Sequence, residues 1–258
     1  MRILMVPDWK KAIQSSLQEN IKKMGTSATY ASLATVRENN TPAVRTVVIR
    51  GFAGEHHKEE IGWQSNILVM ITKQSSAKVK ELQNNPKAEI NWQVTRERKK
   101  KERSKNKLIG DERYMDGTGE QFRIGGTVDI IDKYLDEKKL GHLSSSVTRK
   151  EQQPDADNKE NSLSLQAFLK HQEGQEEFSW NAERIRQFIQ CNASLRSDMI
   201  HSDKELEIKS VDPKTGWFQN DEIQDLLEQS YDKFALLAIT VESVHYYSIQ
   251  TGSMKSML

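Results

Sequence analysis

Ala43-Val44-Arg45-Thr46-Val47-Val48-Ile49-Arg50-Gly51-Phe52 decides how the rest of the chain is read. β-Branched residues dominate it, and such side chains suit a pleated, half-buried surface better than a helix. The cluster Glu38-Asn39-Asn40-Thr41-Pro42 just before it is a turn composition, so the stretch is the second arm of a hairpin. Side chains alternate along a strand, so Arg45 and Arg50, five residues apart, project to opposite faces. Cations in an apolar strand are costly unless each meets an anion, finds an acceptor or stays in water. The strand alone leaves two readings open: edge arginines in solvent, or arginines that grip a phosphate-bearing ligand.

Working outward, the first arm is Tyr30–Val36, and before it Trp9, Ile13, Leu17 and Ile21 recur every four residues. That stripe predicts a helix capped by Asp8 and stopped at Gly25. Downstream, Asn66–Thr72 is apolar on both faces and reads as a buried strand. It leads into Ser75-Ser76-Ala77-Lys78, where a helix starts that runs to Asn84-Asn85-Pro86. A serine-capped helix start with Lys78 on its first turn is how an anion site is built, although a plain capped helix has the same sequence. Lys87–Val94 alternates as a fourth strand, and Glu120–Ile131, with paired glycines suited to a bulge or tight bend, is a fifth. A short helix is expected near Lys133–Leu140, amphipathic helices at Leu163–Gln172 and Ala182–Leu195, a sixth strand at Lys233–Val241 and a last short one at Val244–Tyr247.

Two polar stretches interrupt this order. Residues 95–119 crowd Arg96, Arg98, Lys99, Lys100, Lys101, Arg103, Lys105 and Lys107 together, and residues 144–161 are polar too. Both are expected to be flexible insertions within a single domain spanning 1–258. No aromatic residue is interleaved with the basic ones, so nucleic acid is not the expected partner. His56-His57 beside Glu59-Glu60 lacks a third spaced ligand, and no metal site is expected. With a 36% hydrophobic content, 29% charged residues and a net charge of +1, nothing global points to membrane or nucleic acid. The single cysteine, Cys191, rules out an internal disulfide framework. The N-terminal apolar run breaks off at Pro7-Asp8 and no long apolar run follows, so the expected location is the cytoplasm, with the nucleus second.

The order of these pieces resembles the FMN-binding split barrels of the pyridoxamine 5′-phosphate oxidase type. The resemblance rests on Arg45–Phe52, on Thr72 with Ser75-Ser76-Ala77-Lys78, on Leu82 with Asn85–Glu89 and Trp92, and on Glu120–Gly126. It implies a mainly β fold with flanking helices (α+β), an antiparallel six-stranded split barrel, with FMN as cofactor and a homodimer as the assembly. It further implies that Arg45 and Lys78 grip the flavin phosphate with hydroxyl help from Thr72 and Ser76. Thr46, Val47 and Val48 would line the ring, Gln121 would reach its polar edge, and Arg50 would stand near the flavin on the substrate side. Such a protein is an oxidoreductase of unknown substrate.

The chain departs from the pattern at three places. Ala77 stands where many relatives carry a second phosphate-binding arginine, with Lys73 the nearest replacement. Tyr247 stands where relatives put a tryptophan, and the tail Ser248–Leu258 lacks the arginine and histidine that bind substrate phosphate. Oxidation of pyridoxamine phosphate itself is therefore not expected, and no catalytic residue is nominated. The competing reading is a non-catalytic binding or interaction module on a repurposed barrel, with pyridoxal phosphate as a further candidate ligand.

Overall fold

The structure, a computed structural model, describes residues 6–55, 63–93, 118–149, 178–249 and 251–258. Pro7, with its φ of −69°, precedes helix α1 (Asp8–Met24) as its cap residue, in place of the expected Asp8. Asp8 lies in the first turn, where the helix dipole favours a carboxylate, and it meets Lys11 Nζ at 3.1 Å. Gly25 ends the helix at a φ of 65°, a conformation open to glycine. Trp9, Ile13 and Leu17 are buried as the stripe requires.

A 3₁₀ turn (Gly25–Thr29) leads to β1 (Tyr30–Val36) and β2 (Pro42–Phe52), an antiparallel hairpin in which Leu33 faces Arg45 and Ser32 faces Thr46. A short β3 (Trp63–Ser65) precedes β4 (Ile67–Lys73), and α2 (Ala77–Asn84) follows. Then come β5 (Lys87–Gln93), β6 (Glu120–Ile131), a one-turn α3 (Gly141–Ser144) and β7 (Val147–Arg149), which pairs with β3. Helices α4 (Trp180–Ile189) and α5 (Ala193–Ile200), the small hairpin β8 (Ser210–Val211) and β9 (Phe218–Gln219), and α6 (Gln224–Lys233) lead to the 15-residue β10 (Phe234–Ser248) and a final β11 (Ser253–Ser256). The main sheet has the order β11-β10-β4-β2-β1-β5-β6, and β10 also pairs with β6. Six strands therefore close into an antiparallel barrel, mainly β with helices around it, as expected, and β11 extends it at β10.

By packing, the chain divides into two units, with β2, β6 and β10 each running from one into the other. One unit comprises residues 50–86 and 127–240. Its core joins Trp63, Ile67 and Val69 to Trp180, Phe188, Phe218, Leu227 and Phe234. Three arginines are buried in it. Arg184 donates to the Phe234 carbonyl at 2.9 Å and lies 3.9 Å from the centre of the Tyr231 ring. Arg186 meets Glu183 at 2.8 Å, and Arg196 donates to the Leu206 carbonyl at 2.7 Å and to that of Cys191. Guanidinium groups here satisfy carbonyls that loops and helix ends leave open. The other unit comprises 6–49, 87–126 and 241–258. Its buried side chains include Ile13, Leu33, Ile90, Trp92, Phe122 and Val244, and Trp92 Nε1 donates to the Ala28 carbonyl at 2.9 Å.

Several local expectations change. The segment 133–140 forms turns in place of a helix, held by Asp132 and Asp136 side chains that accept from the backbone of Tyr134 and Lys138. The single helix expected over Ala182–Leu195 is two, because Asn192 accepts from Leu195 N at 2.7 Å and starts a new one. The sixth and last strands are one, β10, since nothing between Val241 and Val244 breaks the pleat. The second polar stretch begins in order, with β7 inside it. The rest of it, the helix expected at Leu163–Gln172, His56-His57 with Glu59-Glu60, and residues 95–117 of the basic stretch lie outside the described residues.

Candidate functional site

The first group of site residues sits where β4 turns into α2. Ser76 takes the cap position with extended backbone (φ −70°, ψ 148°), yet its hydroxyl makes no capping bond to the helix. It lies instead 3.0 Å from the Thr72 hydroxyl, and Lys78 Nζ donates to that same Thr72 oxygen at 2.9 Å. Thr72 is 5% exposed, so this triplet is fixed by packing rather than by chance rotamers. An ammonium and two hydroxyls gathered at a helix start form a donor set for a ligand with several anionic oxygens. Ala77, exposed, adds no side-chain donor. Lys73, the expected replacement, has its ammonium 2.9 Å from His201 Nε2.

The second group lies on β2. Arg45 shares the face of Ala43, Val47 and Ile49, and its guanidinium donates to the Thr35 hydroxyl with the Leu33 carbonyl at 3.5 Å. Val47 is 7% exposed on that face, so only its backbone is open to a ligand. Thr46 and Val48 occupy the opposite face, as alternation requires. Arg50 follows their parity. Its Nε lies 3.4 Å from Gln187 Oε1 and its Nη2 3.3 Å from the Gln190 carbonyl, at the C-terminal end of α4. Burial pulls the Arg50 guanidinium below its ordinary pKa; the neighbouring Cys191 thiol opposes that and Arg186 adds to it. A cation at a helix C-terminus is favourably placed against the dipole, which accounts for this arginine independently of any ligand.

The third group lies on the open face of β2, β1, β5 and β6. Ser32 pairs with Thr46 on one side and with Asn91 on the other, and Gln121 Nε2 donates to Asn91 Oδ1 at 2.6 Å. Thr46, Ser32, Asn91 and Gln121 thus form one polar row across four adjacent strands. At a strand spacing of about 4.8 Å the row is roughly 14 Å long. Val44, 66% exposed, and Tyr30, 49% exposed, lie on the same face. Asn91 escaped the sequence reading. Alternation in Glu89-Ile90-Asn91-Trp92 puts it on the open face, but its pairing to Gln121 depends on a register that only the fold supplies.

A closed antiparallel barrel with a phosphate-type donor cluster after a buried strand defines a class, the FMN-binding split barrels. Residues 6–132 match the family described as pyridoxamine 5′-phosphate oxidase, FMN-binding domain. That matched segment, just under half of the chain, contains every candidate residue above. A relative, pyridoxine/pyridoxamine 5′-phosphate oxidase 2 of Arabidopsis thaliana, is 29% identical over 127 residues, covering 49% of this chain and 48% of that protein. The chain therefore spans about half the length of the curated relative it matches. A solved pyridoxamine 5′-phosphate oxidase-related, FMN-binding protein from Nostoc punctiforme aligns over 97% of this chain and 96% of its own, with a TM-score of 0.52 and 20% identity. That likeness shows the fold.

The residues present fit the cofactor of the family. Thr72, Ser76 and Lys78 supply the charge and the hydroxyls that a terminal phosphate needs.

Proposed function

We propose that this chain is an FMN-dependent oxidoreductase acting on a small molecule, and that it works as a homodimer. The Lys78–Thr72–Ser76 triplet carries this reading, because it gathers one fixed cation and two hydroxyls where a helix begins. FMN supplies the electron-accepting ring when bound, and the protein's share is to bind, orient and shield it. Lys78 provides a point charge for the phosphate, and Thr72, held by packing, keeps the ammonium from swinging into solvent.

The dimer is supported by Val44 and Tyr30, apolar and exposed on one open sheet face. A second copy covering that face would remove both from water. Analytical ultracentrifugation of the full chain is expected to give a dimer, and Val44→Glu a monomer; a wild-type monomer would refute the assembly.

The test of the cofactor is a titration with FMN followed by flavin fluorescence. Micromolar or tighter quenching is expected, with reduction of the bound flavin by a nicotinamide donor as the sign of redox competence. Absence of quenching would overturn the reading.

A further inference from the structure

The turn that presents the triplet, Lys73-Gln74-Ser75-Ser76, is closed by the Ser76 N–H donating to the Lys73 carbonyl at 3.0 Å. Closure of that kind fixes four residues relative to one another, not to the rest of the fold. Gln74 ties the turn to its packing unit in two further places. Its backbone N–H donates to the carbonyl of Lys233, the last residue of α6, at 2.7 Å. Its side-chain Nε2 donates to Asp132 Oδ2, one residue past the end of β6, at 2.9 Å. The other oxygen of that carboxylate accepts from Tyr134 N at 2.9 Å, so the acceptor is itself held. Gln74 and Asp132 are both half-buried, where water competes less for the bond than at an open surface. Three elements distant in sequence, ending at Lys73, Ile131 and Lys233, thus converge on a glutamine two residues before Ser76 and four before Lys78. The Gln74 amide is directed at Asp132, so its effect on a ligand of the triplet is indirect.

We propose that Gln74 and Asp132 are positioning residues for the phosphate-binding start of α2, their bond holding the turn on the one path that sets Ser76 and Lys78 beside Thr72. This rests on the phosphate reading of the triplet given above. A bound phosphate needs its donors held to within about 0.5 Å, and side chains supplied by a turn reach that only when the turn is itself supported. Without the Asp132 contact the turn keeps its internal bond and its hold on Lys233, but the hydroxyl and the ammonium lose their common focus.

The experiment titrates the full chain with FMN and with riboflavin, which differ by the phosphate, in wild type and three variants. Gln74→Leu removes the amide at similar size, and Gln74→Glu sets two carboxylates against each other. Gln74→Glu combined with Asp132→Asn exchanges donor and acceptor, so the bond re-forms with the net charge unchanged and a carbonyl is still left for Tyr134 N. Gln74→Leu and Gln74→Glu are each expected to lower the preference for FMN over riboflavin by about fivefold, the scale of one hydrogen bond, with riboflavin affinity within about twofold of wild type. The exchanged pair is expected to restore the preference. A merely structural bond would lower the melting temperature and leave the preference alone. A preference unchanged in both single variants, or lost and not restored in the exchanged pair, would overturn this inference alone. Wild type binding FMN no tighter than riboflavin would overturn the phosphate reading and this inference with it.

Discussion

Lys78 Nζ and the Thr72 hydroxyl lie 2.9 Å apart, six residues from each other in sequence and joined across the turn between β4 and α2. The bond matters because Lys78 is otherwise a flexible first-turn lysine. Thr72, 5% exposed and next to Ser76, turns it into part of a fixed donor set. Lys78→Ala is expected to raise the Kd for FMN by about tenfold or more, the worth of one charge-assisted hydrogen bond. The measurement is a fluorescence titration at low and high salt. Thr72→Val should give a smaller loss, because it frees the lysine without removing its charge.

Glu137 stands at the start of α4, 42 residues away in sequence from Ser179. Its carboxylate accepts from the Ser179 hydroxyl at 3.0 Å and from the backbone N–H groups of Trp180 and Asn181 at 3.2 and 2.9 Å. Those are orphan donors of the first helical turn, and an anion there is favoured. Glu137→Ala is expected to cost about 1 kcal/mol in urea unfolding without changing FMN affinity.

Gly54 and Gly25 make a controlled pair. Both have positive φ, +74° and +65°. A Cβ on Gly25 would meet nothing within 4 Å, whereas one on Gly54 would lie 2.6 Å from the Trp63 Cβ. Gly25→Ala, at φ 65° and ψ −144°, therefore costs only the backbone term, about 2 kcal/mol. Gly54→Ala adds an overpacked contact and is expected to cost about 3 kcal/mol. Thermal melts of the two variants side by side check this.

Cys191 is 5% exposed, and burial pushes its thiol up from 9.0 to about 11, with Arg50 and Arg196 opposing the shift. The folded pKa lies above the unfolded one, so the neutral thiol's contribution is fully present below pH 9. It is lost as the pH rises from about 9 to about 11, on the order of 2 kcal/mol. Urea unfolding at pH 8, 9 and 10 should show that decline in wild type, and Cys191→Ala should flatten it. A slope that Cys191→Ala leaves unchanged would assign it to other groups.

Much of the barrel was legible because its strands obey local rules. β1 and β6 match their sequence-derived bounds, and β2, β4 and β5 differ only at their ends, since alternation and turn residues mark them in the chain itself. The region from Gln190 to Lys233 was not legible. There Asn192 splits a helix, β8 and β9 are two residues each, and α6 has only Leu227, Ser230 and Tyr231 buried. Such pieces are held by tertiary contacts such as Phe218 against Phe188, ring centroids 5.0 Å apart, which no local pattern encodes. The site was legible in the same uneven way. Thr72, Ser76 and Lys78 are close in sequence and the structure brings them together, whereas the bond of Gln121 to Asn91 spans 30 residues and the reach of Arg50 to Gln187 spans 137.

The central claim is that a phosphate-bearing flavin is held through the Lys78–Thr72–Ser76 triplet. Its most direct test is calorimetric titration of the full chain with FMN and with riboflavin, which differ by the phosphate alone. Binding of FMN at least about tenfold tighter than riboflavin, with the difference abolished in Lys78→Ala, is the predicted result. Equal affinities for the two, or a preference for FMN that survives Lys78→Ala, would contradict it.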